Sequence, residues 1–287
     1  MIPTVRPGFR LLQTVVLIAS MIGTTSVVAE ELSLPQFVEV PAGLAVMGGA
    51  ADEPGRRGDE EPRSTMMIAR AFELATTEVR ADLWFEVMGV SPSYFSACDA
   101  CPVESITWFE ALDFCNVLSA RVGLDPVYEQ IDGAIVWNGD ADGFRLPTEA
   151  EWEYACRAGS PAAFHGGGCL TTDEANYDGT RPQTPCGRGL DRHEPLPVGS
   201  FTPNGWGLFD MHGNVAEWCW NGMWRYGTDP VPGPGSMEMG DLRSVRGGAW
   251  ISLDTGCRSA VRFFIPPDSR YDFVGLRLAR NVATRSP

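Results

Sequence analysis

The chain has 287 residues and a formal net charge of −15, from 22 basic and 37 acidic residues. Every basic residue is an arginine, so mechanisms that need a lysine as Schiff-base nucleophile or general base are excluded. The acidic balance argues against nucleic acid and anionic membranes as partners. The length allows one large domain or two small ones, and no linker that would separate two domains is visible.

The first 29 residues are typical of a secretory signal peptide. An apolar run at 11–22 follows two arginines and precedes the small residues of 27–29, which suit a cleavage site. Because the run is shorter than the ~20 residues of a membrane span, an uncleaved anchor is the less favoured alternative. We predict a signal peptide at 1–29, a domain at 30–287, a periplasmic or secreted location, and no stable membrane anchor after cleavage.

The first part of the mature chain predicts strands followed by a helix. Residues 37–49 alternate weakly and are broken by Pro-Ala-Gly, which predicts a hairpin. The charged stretch 52–63 contains Pro and Gly and predicts a solvated loop rather than an acidic binding site. A strand-like run at 66–76 leads into a helical pattern at 80–88, which Gly89 ends.

Two further helices are predicted by capping boxes. Thr107 and Thr148 each precede a helical pattern and have a glutamate three residues later. The second helix carries three acids, Glu149, Glu151 and Glu153, which could suggest acid–base catalysis. We interpret them instead as first-turn charges that complement the helix dipole. Beyond this helix the chain shows little periodicity, so disulfides, ions or tight turns must hold it.

Eight cysteines, an even number, indicate disulfides in an exported protein. Cys98 and Cys101 form a C-x-x-C motif, for which a thioredoxin-type redox pair and half of a zinc site are alternatives. We favour a local structural disulfide because no βαβ pattern surrounds the motif. Cys169 and Cys186 flank a loop and could pair. The remaining disulfide candidates are Cys115, Cys156, Cys219 and Cys257.

One short segment offers the hard oxygen ligands that Ca²⁺ prefers. Asn214 and Glu217, with the backbone carbonyls between them, supply an amide oxygen and a carboxylate within four residues. The segment 176–179, Asn-Tyr-Asp-Gly, is a weaker candidate of the same kind. The three histidines lack metal-ligand spacing, which argues against zinc or non-haem iron. Nucleophile-elbow, phosphate-loop and dinucleotide signatures are absent from the sequence.

The segment 246–257 remains as the candidate for redox chemistry. It reads Arg-Gly-Gly-Ala-Trp-Ile-Ser-Leu-Asp-Thr-Gly-Cys, so two adjacent glycines bring backbone close to a neighbour and a cysteine ends the segment. By these residues alone, Cys257 is the candidate for a reactive centre.

Five motifs occur in an order that identifies a family. The chain resembles the formylglycine-generating enzyme family, also called sulfatase-modifying factors, over roughly residues 34–280. The motifs are PVESITW at 102–108, RLPTEAEWEYA at 145–155, NGWGLFDMHGNVAEW at 204–218, RGGAW at 246–250 and VGLR at 274–277.

The resemblance implies a fold and a metal. The fold is a single compact α+β domain with little regular secondary structure, related to the C-type lectins. The family also binds calcium. Asn214, the carbonyl of Val215 and Glu217 match one family site, and Asn176 with the carbonyl of Tyr177 matches another.

The resemblance also implies which chemistry the chain lacks. The family enzymes oxidise a sulfatase cysteine to formylglycine with O₂ and a Cu(I) ion held by two cysteines, the linear bis-thiolate that soft Cu(I) prefers. Here Ser252 stands at the first position. Cys257 matches either the second position or a structural disulfide partner of Cys156. Ala249 replaces the serine of the family's Gly-Gly-Ser, and copper is not expected.

The resemblance therefore predicts the fold of the family without its copper-dependent activity. The main hypothesis is an exported family member without copper-dependent oxidase activity. Its groove, lined by Arg246, Ala249 and Trp250, would bind an unidentified protein or small molecule, or support a different reaction. The alternatives are a periplasmic maturation enzyme, for example one that oxidises a siderophore precursor, and a true formylglycine-generating oxidase. Any remaining oxidoreductase activity would use Cys257 and Ser252.

Overall fold

The computed structural model describes residues 32–227, 236–238 and 242–282, so the predicted signal peptide lies outside the described residues. Within them the chain forms three α-helices, two short 3-10 helices and thirteen strands. The helices are α1 Ala81–Met88, α2 Trp108–Arg121 and α3 Glu149–Arg157. The strands are β1 Phe37–Val40, β2 Gly43–Met47, β3 Ser64–Ile68, β4 Phe72–Ala75, β5 Tyr128–Ile131, β6 Ala134–Trp137, β7 Phe144–Arg145, β8 Ala216–Gly222, β9 Ser236–Glu238, β10 Arg243–Arg246, β11 Phe263–Ile265, β12 Val274–Gly275 and β13 Ala279–Asn281.

All three helices begin where the sequence predicts. In α2 the Thr107 side chain accepts the N–H of Glu110, and the Glu110 carboxylate accepts the N–H of Thr107. Thr148 and Glu151 make the same reciprocal bonds at the start of α3. These bonds satisfy amides that would otherwise lack a partner at the helix start. Helix α1 ends at Gly89, whose φ of 73° suits glycine.

The predicted hairpin at 37–49 is wrong. Strands β1 and β2 do not pair with each other: β1 pairs with β4, and β2 pairs with β3. The reason is that the apolar run at 66–76 is two strands, separated by residues 69–71. Each half takes one of the earlier strands as its antiparallel partner.

Two four-stranded sheets carry the core. One has the strand order β1-β4-β13-β7 and the other β11-β10-β8-β12, beside the smaller β2-β3 and β5-β6-β9 sheets. Every residue of β8 is buried. Its Trp218 donates to the carbonyl of Ile106, and Trp108 of α2 donates to the carbonyl of Cys219. The described residues 32–282 belong to one compact unit, as expected for a single α+β domain.

The long stretch 158–215 contains no helix, and its strand pairing is limited to isolated bridges. A disulfide between Cys169 and Cys186 closes one loop. The carboxylate of Asp254 accepts the backbone N–H groups of Gln183 and Thr184. The predicted absence of periodicity is therefore confirmed. Hydrogen bonds from side chains take the place of the backbone hydrogen bonds of helices and sheets.

The disulfide predictions are confirmed in part. Cys98 pairs with Cys101, and Cys169 pairs with Cys186. The other candidates are corrected, because all four are buried free thiols: Cys115, Cys156, Cys219 and Cys257. Among the described residues, no helix has the length and apolar character that crossing a membrane requires.

Buried ion pairs are the feature that the sequence interpretation missed. The stretch 52–63 is not simply solvated, because Glu60 is fully buried and binds Arg258 at 2.7 Å. Glu149 and Glu153 are also fully buried, so their charges do more than complement the dipole of α3. Arg157 of the same helix pairs with Glu153, whereas Arg246 and Arg262 come from elements far away in sequence.

Candidate functional site

The segment 246–257 begins inside the protein. Arg246 has no exposed surface and lies among buried carboxylates, bonded to Glu153 and 3.7 Å from Glu149. We call the set of Glu149, Glu153, Arg157, Arg246 and Arg262 the ionic centre. The prediction that Arg246 lines an open groove is therefore wrong, because its side chain is buried and anchors the start of the segment inside the protein.

Two glycines then carry the backbone through a tight turn. Gly247 and Gly248 both have positive φ, 96° and 68°. A side chain at Gly248 would begin 2.6 Å from the carbonyl oxygen of Gly256 and 2.7 Å from Cys257 Sγ. Only glycine permits this approach, so the turn brings positions 249–252 against position 257.

Ser252 and Cys257 meet at one backbone amide. The N–H of Ala249 donates to Ser252 Oγ at 3.0 Å, and the same amide contacts the Cys257 thiol. Burial raises the pKa of Cys257, Asp254 raises it further, and the Ala249 amide only partly offsets them. The thiol therefore stays protonated, and Ala249, itself 1% exposed, lies beneath any groove rather than lining it.

This donor set does not fit a Cu(I) ion. A soft cation in linear coordination requires two thiolates. The structure offers a neutral hydroxyl already used as an acceptor by Ala249, and a fully buried thiol at Cys257.

His212 contacts both cysteines of the disulfide that the resemblance implied. Its Nδ1 lies 2.7 Å from the carbonyl oxygen of Cys257, and both ring nitrogens lie 3.9 Å from Cys156 Sγ. Burial lowers the pKa of His212 to about 3, so the ring is neutral. Cys156 and Cys257 therefore each pack against this imidazole as separate thiols.

A pocket opens beside the segment. Trp250 meets the ring of Phe95 edge-on at 5.5 Å, and Phe95 meets Tyr94 in the same way at 5.0 Å. We call these three side chains the aromatic ledge. The backbone N–H of Phe95 donates a hydrogen bond to the carboxylate of the buried Glu104. A pocket of about 450 Å³ is lined by Tyr94, Phe95, Ser96, Ala97, Cys98, Cys101, Glu194, Pro195, Leu196 and Pro197.

The two predicted calcium sites lie side by side. The Asn214 N–H donates to the carbonyl of Asn176 at 2.8 Å, and Asn176 Nδ2 donates to Asn214 Oδ1 at 3.2 Å. Asn214 Oδ1 also accepts the N–H of Leu196, so it is doubly engaged. The buried Asn176 Oδ1, in contrast, has no hydrogen-bond partner among the described residues. Tyr177 and Val215 are buried next to these two asparagines in the chain.

Glu217, the predicted carboxylate ligand, is also engaged. Arg277 donates to its Oε1 at 2.7 Å and Trp152 donates to its Oε2 at 2.6 Å. The carboxylate therefore has a protein counter-ion already, which was not foreseen.

Two further carboxylates complete an acidic cluster, our name for Glu78, Asp210 and Glu217 with Arg277. Glu78 Oε1 accepts from Asn214 Nδ2, while its buried Oε2 has no hydrogen-bond partner among the described residues and lies 4.0 Å from Arg277. Burial, and then the charge of Asp210, raise the pKa of Glu78 well above its ordinary value of 4.5. Three carboxylates thus face one guanidinium.

The acidic cluster fits a hard cation in charge and donor type, because a divalent ion would balance its excess of carboxylates. The free oxygens are those of Glu78 and Asn176 rather than of Asn214 and Glu217. Among the described residues, no three His, Cys, Asp or Glu side chains form a metal-binding group on their own. Asp210 lies inside the predicted motif, yet only the fold brings Glu78 to it.

Comparison with known proteins points to one family. Residues 24–282 match the sulfatase-modifying factor enzyme 1-like domain. A formylglycine-generating enzyme of Streptomyces coelicolor is 36% identical over 151 residues, which cover 49% of this chain and 48% of that enzyme. The chain thus spans about half of that relative's length. The chaperone protein LppX of Paenibacillus barcinonensis is 33% identical over 206 residues, 63% of this chain and 70% of that protein.

Solved structures show the same fold. Treponema denticola variable protein 1 superposes with a TM-score of 0.71 and 27% identity, covering 86% of this chain and 95% of its own. PvdO from Pseudomonas aeruginosa gives a TM-score of 0.70 with the same identity and coverage. Since the family match covers most of the described residues and the fold agrees, the chain belongs to the sulfatase-modifying factor family of formylglycine-generating enzyme-like proteins.

Proposed function

We propose that this chain is an exported member of the family that binds an extended polypeptide in the groove beside the segment 246–257 and does not oxidise cysteine with copper. The observation that carries the proposal is the pair of side chains beside the Ala249 amide, Ser252 and Cys257. Ser252 replaces one thiolate, and Cys257 is buried and protonated. Neither supplies what Cu(I) coordination needs.

The surface of the groove supports a polypeptide ligand. Tyr94, which lines the pocket, is 72% exposed, and Ile251, next to Trp250 in the chain, is 53% exposed. Aromatic side chains bury much area at low entropic cost and are enriched in interfaces. A relative at 33% identity is named a chaperone protein, which also favours a protein ligand.

Calcium is part of the same proposal. A Ca²⁺ ion would be held near Glu78, Asp210 and Asn176, where buried oxygens lack partners or share a site with like charge. Its role would be structural: it would bind the loops that carry Asn176 and Asp210 to the end of β4. We assign it no step in any reaction.

The copper part is tested by incubating the purified protein with a Cys-x-Pro-x-Arg peptide, Cu(I) and O₂, with the Streptomyces coelicolor relative as positive control. We expect no aldehyde in the peptide. Aldehyde that disappears with Cys257→Ala would establish the alternative of a true formylglycine-generating oxidase.

The binding part is tested with an array of random decapeptides. We expect wild type to select a subset of sequences and Trp250→Ala to lose that selection. The matched control is Phe85→Ala, an aromatic that is 56% exposed on α1 and does not belong to the aromatic ledge. Equal selection by wild type and Trp250→Ala would contradict the proposal.

A periplasmic maturation enzyme remains the second candidate. It predicts turnover of a small molecule rather than selection of peptides.

A further inference from the structure

We propose that the Cys98–Cys101 disulfide is an exchangeable bond that accepts the thiol of a cysteine-containing peptide held in the groove. Its substrate class deepens the polypeptide binding proposed above and rests on it. The exchange reaction itself is inferred from the positions of the two sulfur atoms.

The disulfide forms part of the wall of the pocket. Both cysteines line the 450 Å³ space, together with the aromatic ledge residues Tyr94 and Phe95 and the turn 194–197. The carbonyl oxygen of Pro195 lies 3.6 Å from Cys101 Sγ. A ligand in this pocket therefore contacts the S–S bond directly.

The two sulfurs differ in access. Cys98 is partly exposed, whereas Cys101 is only 3% exposed. An incoming thiolate must approach one sulfur in line with the bond, so Cys98 is the atom that is attacked and Cys101 is the leaving group.

The C-x-x-C loop lies at the positive end of a helix. The first two amides of α1 donate to the motif: Ala81 N–H to the carbonyl of Cys101 at 2.9 Å, and Asp82 N–H to the carbonyl of Asp99 at 3.1 Å. The dipole of α1 therefore points its positive end at the C-x-x-C loop, a field that favours a departing thiolate.

The fold does not need this bond to hold its loop. The Cys101 N–H donates to the carbonyl of Cys98, and on either side Val103 N–H and Val198 N–H reach the carbonyls of Val79 and Ala100. A crosslink across three residues also restricts the unfolded chain much less than one across a long loop. The bond can therefore open without unfolding its surroundings.

The exchange is balanced within the protein and a peptide that carries two thiols. The first peptide thiolate attacks Cys98 Sγ, a mixed disulfide forms, and Cys101 leaves as a thiolate that takes up a proton. The second peptide thiolate attacks the peptide sulfur of the mixed disulfide, which releases the Cys98 thiol. The peptide is oxidised to a disulfide and the protein is reduced by two electrons, once per chain.

Charge at the pocket selects the peptide. Asp99 and Glu194 are exposed beside the sulfurs, and the whole chain carries −15. We expect a peptide with arginine beside its cysteine to react on the order of tenfold faster than the same peptide with aspartate, with a ratio that falls in salt.

The first experiment titrates the oxidised full chain with dithiothreitol and labels new thiols with a maleimide. Two labels are expected at 98 and 101 before any label appears at 169 and 186, with the near-ultraviolet spectrum of the folded protein unchanged. If the pair resists reduction until the protein unfolds, the proposal is wrong. The Cys169–Cys186 bond is the internal control.

The second experiment traps the intermediate. Cys101→Ser leaves Cys98 as a free thiol, so the arginine-flanked peptide is supplied as a disulfide-linked dimer. The Cys98 thiolate should capture one peptide as a mixed disulfide, read by mass spectrometry, and release the other peptide as a thiol. Cys98→Ser should capture at least tenfold less at position 101. Equal trapping by the two variants would contradict attack at Cys98. If dithiothreitol reduces the pair but the decapeptide array shows no selection, the exchange stands and the polypeptide-binding function fails.

Discussion

The ionic centre and the acidic cluster are both built from buried carboxylates and arginines, yet their charge balance is opposite. In the ionic centre two glutamates face three arginines, Arg157, Arg246 and Arg262. In the acidic cluster three carboxylates face Arg277 alone. The first cluster has an excess of arginines, and the second has an excess of carboxylates that a bound cation would neutralise.

The pKa directions follow this difference. Burial alone would raise the pKa of Glu149, but Arg246 and Arg262 outweigh it and hold that pKa below its ordinary value. Nothing outweighs burial at Glu78, whose pKa is raised by burial and then by Asp210. Two clusters of similar composition are thus a structural element in one case and a candidate ligand site in the other.

The largest expected effect is the loss of Arg246. Arg246→Met removes the buried guanidinium that binds Glu153, and breaking such a pair costs about 3–5 kcal/mol. We expect this decrease in the free energy of unfolding by urea denaturation. Arg70→Met is the control, because Arg70 is 83% exposed and only 3.9 Å from the exposed Asp140. A loss as small as that of the control would mean that the ionic centre is not structural.

Calcium should have the next largest effect. A ligand that binds only the folded state at a hundred times its Kd stabilises by about 2.7 kcal/mol, so EDTA should lower the Tm. Glu78→Gln should abolish that response, because it removes the unpartnered carboxylate oxygen. Glu104→Gln is the matched control, a glutamate that is also fully buried but lies outside the acidic cluster. A chelator shift that survives in Glu78→Gln would show that the acidic cluster is not the binding site.

The smallest effect is a pH dependence of opposite sign in the two clusters. A carboxyl with a raised folded pKa stabilises below its unfolded pKa, and this stability is lost as the pH rises through the folded value. In EDTA, wild type should therefore lose stability relative to Glu78→Gln as the pH rises above 4.5. The lowered pKa of Glu149 acts in reverse and costs stability as the pH falls below 4.5.

Urea titrations at pH values from 4 to 8 measure the Glu78 effect. Taking wild type minus Glu78→Gln removes the contribution of groups common to both, including His212 with its lowered pKa. A flat difference curve would mean that Glu78 titrates as it does in the unfolded chain.

The parts of the fold that depend on neighbouring residues could be predicted from the sequence. The capping boxes of α2 and α3 act within three residues, so Thr107 and Thr148 located both helices. The pairing of β1 with β4 could not be predicted in this way. Strand β4 lies more than thirty residues after β1, whereas β2 follows β1 directly and is the alternative partner. Local patterns do not say which of two nearby strands is the partner.

In the candidate site too, local motifs could be predicted from the sequence and contacts between distant residues could not. The replacement at Ser252 was visible in the motif, and the structure adds that Ser252 and Cys257 meet at one amide. Arg246 was assigned to the groove together with its segment, yet it is buried against Glu153, which lies 93 residues away. Glu78 was missed because it reaches Asn214 across 136 residues.

The central claim is that the family's copper chemistry is lost at position 252 while the surrounding geometry is retained. The direct test is the Cu(I) affinity of wild type, Ser252→Cys and Ser252→Ala, measured by competition with a chelator. We predict weak binding for wild type and Ser252→Ala, and at least about a hundredfold tighter binding for Ser252→Cys, since a second thiolate completes linear coordination. Tight binding by wild type that Cys257→Ala abolishes would contradict the account.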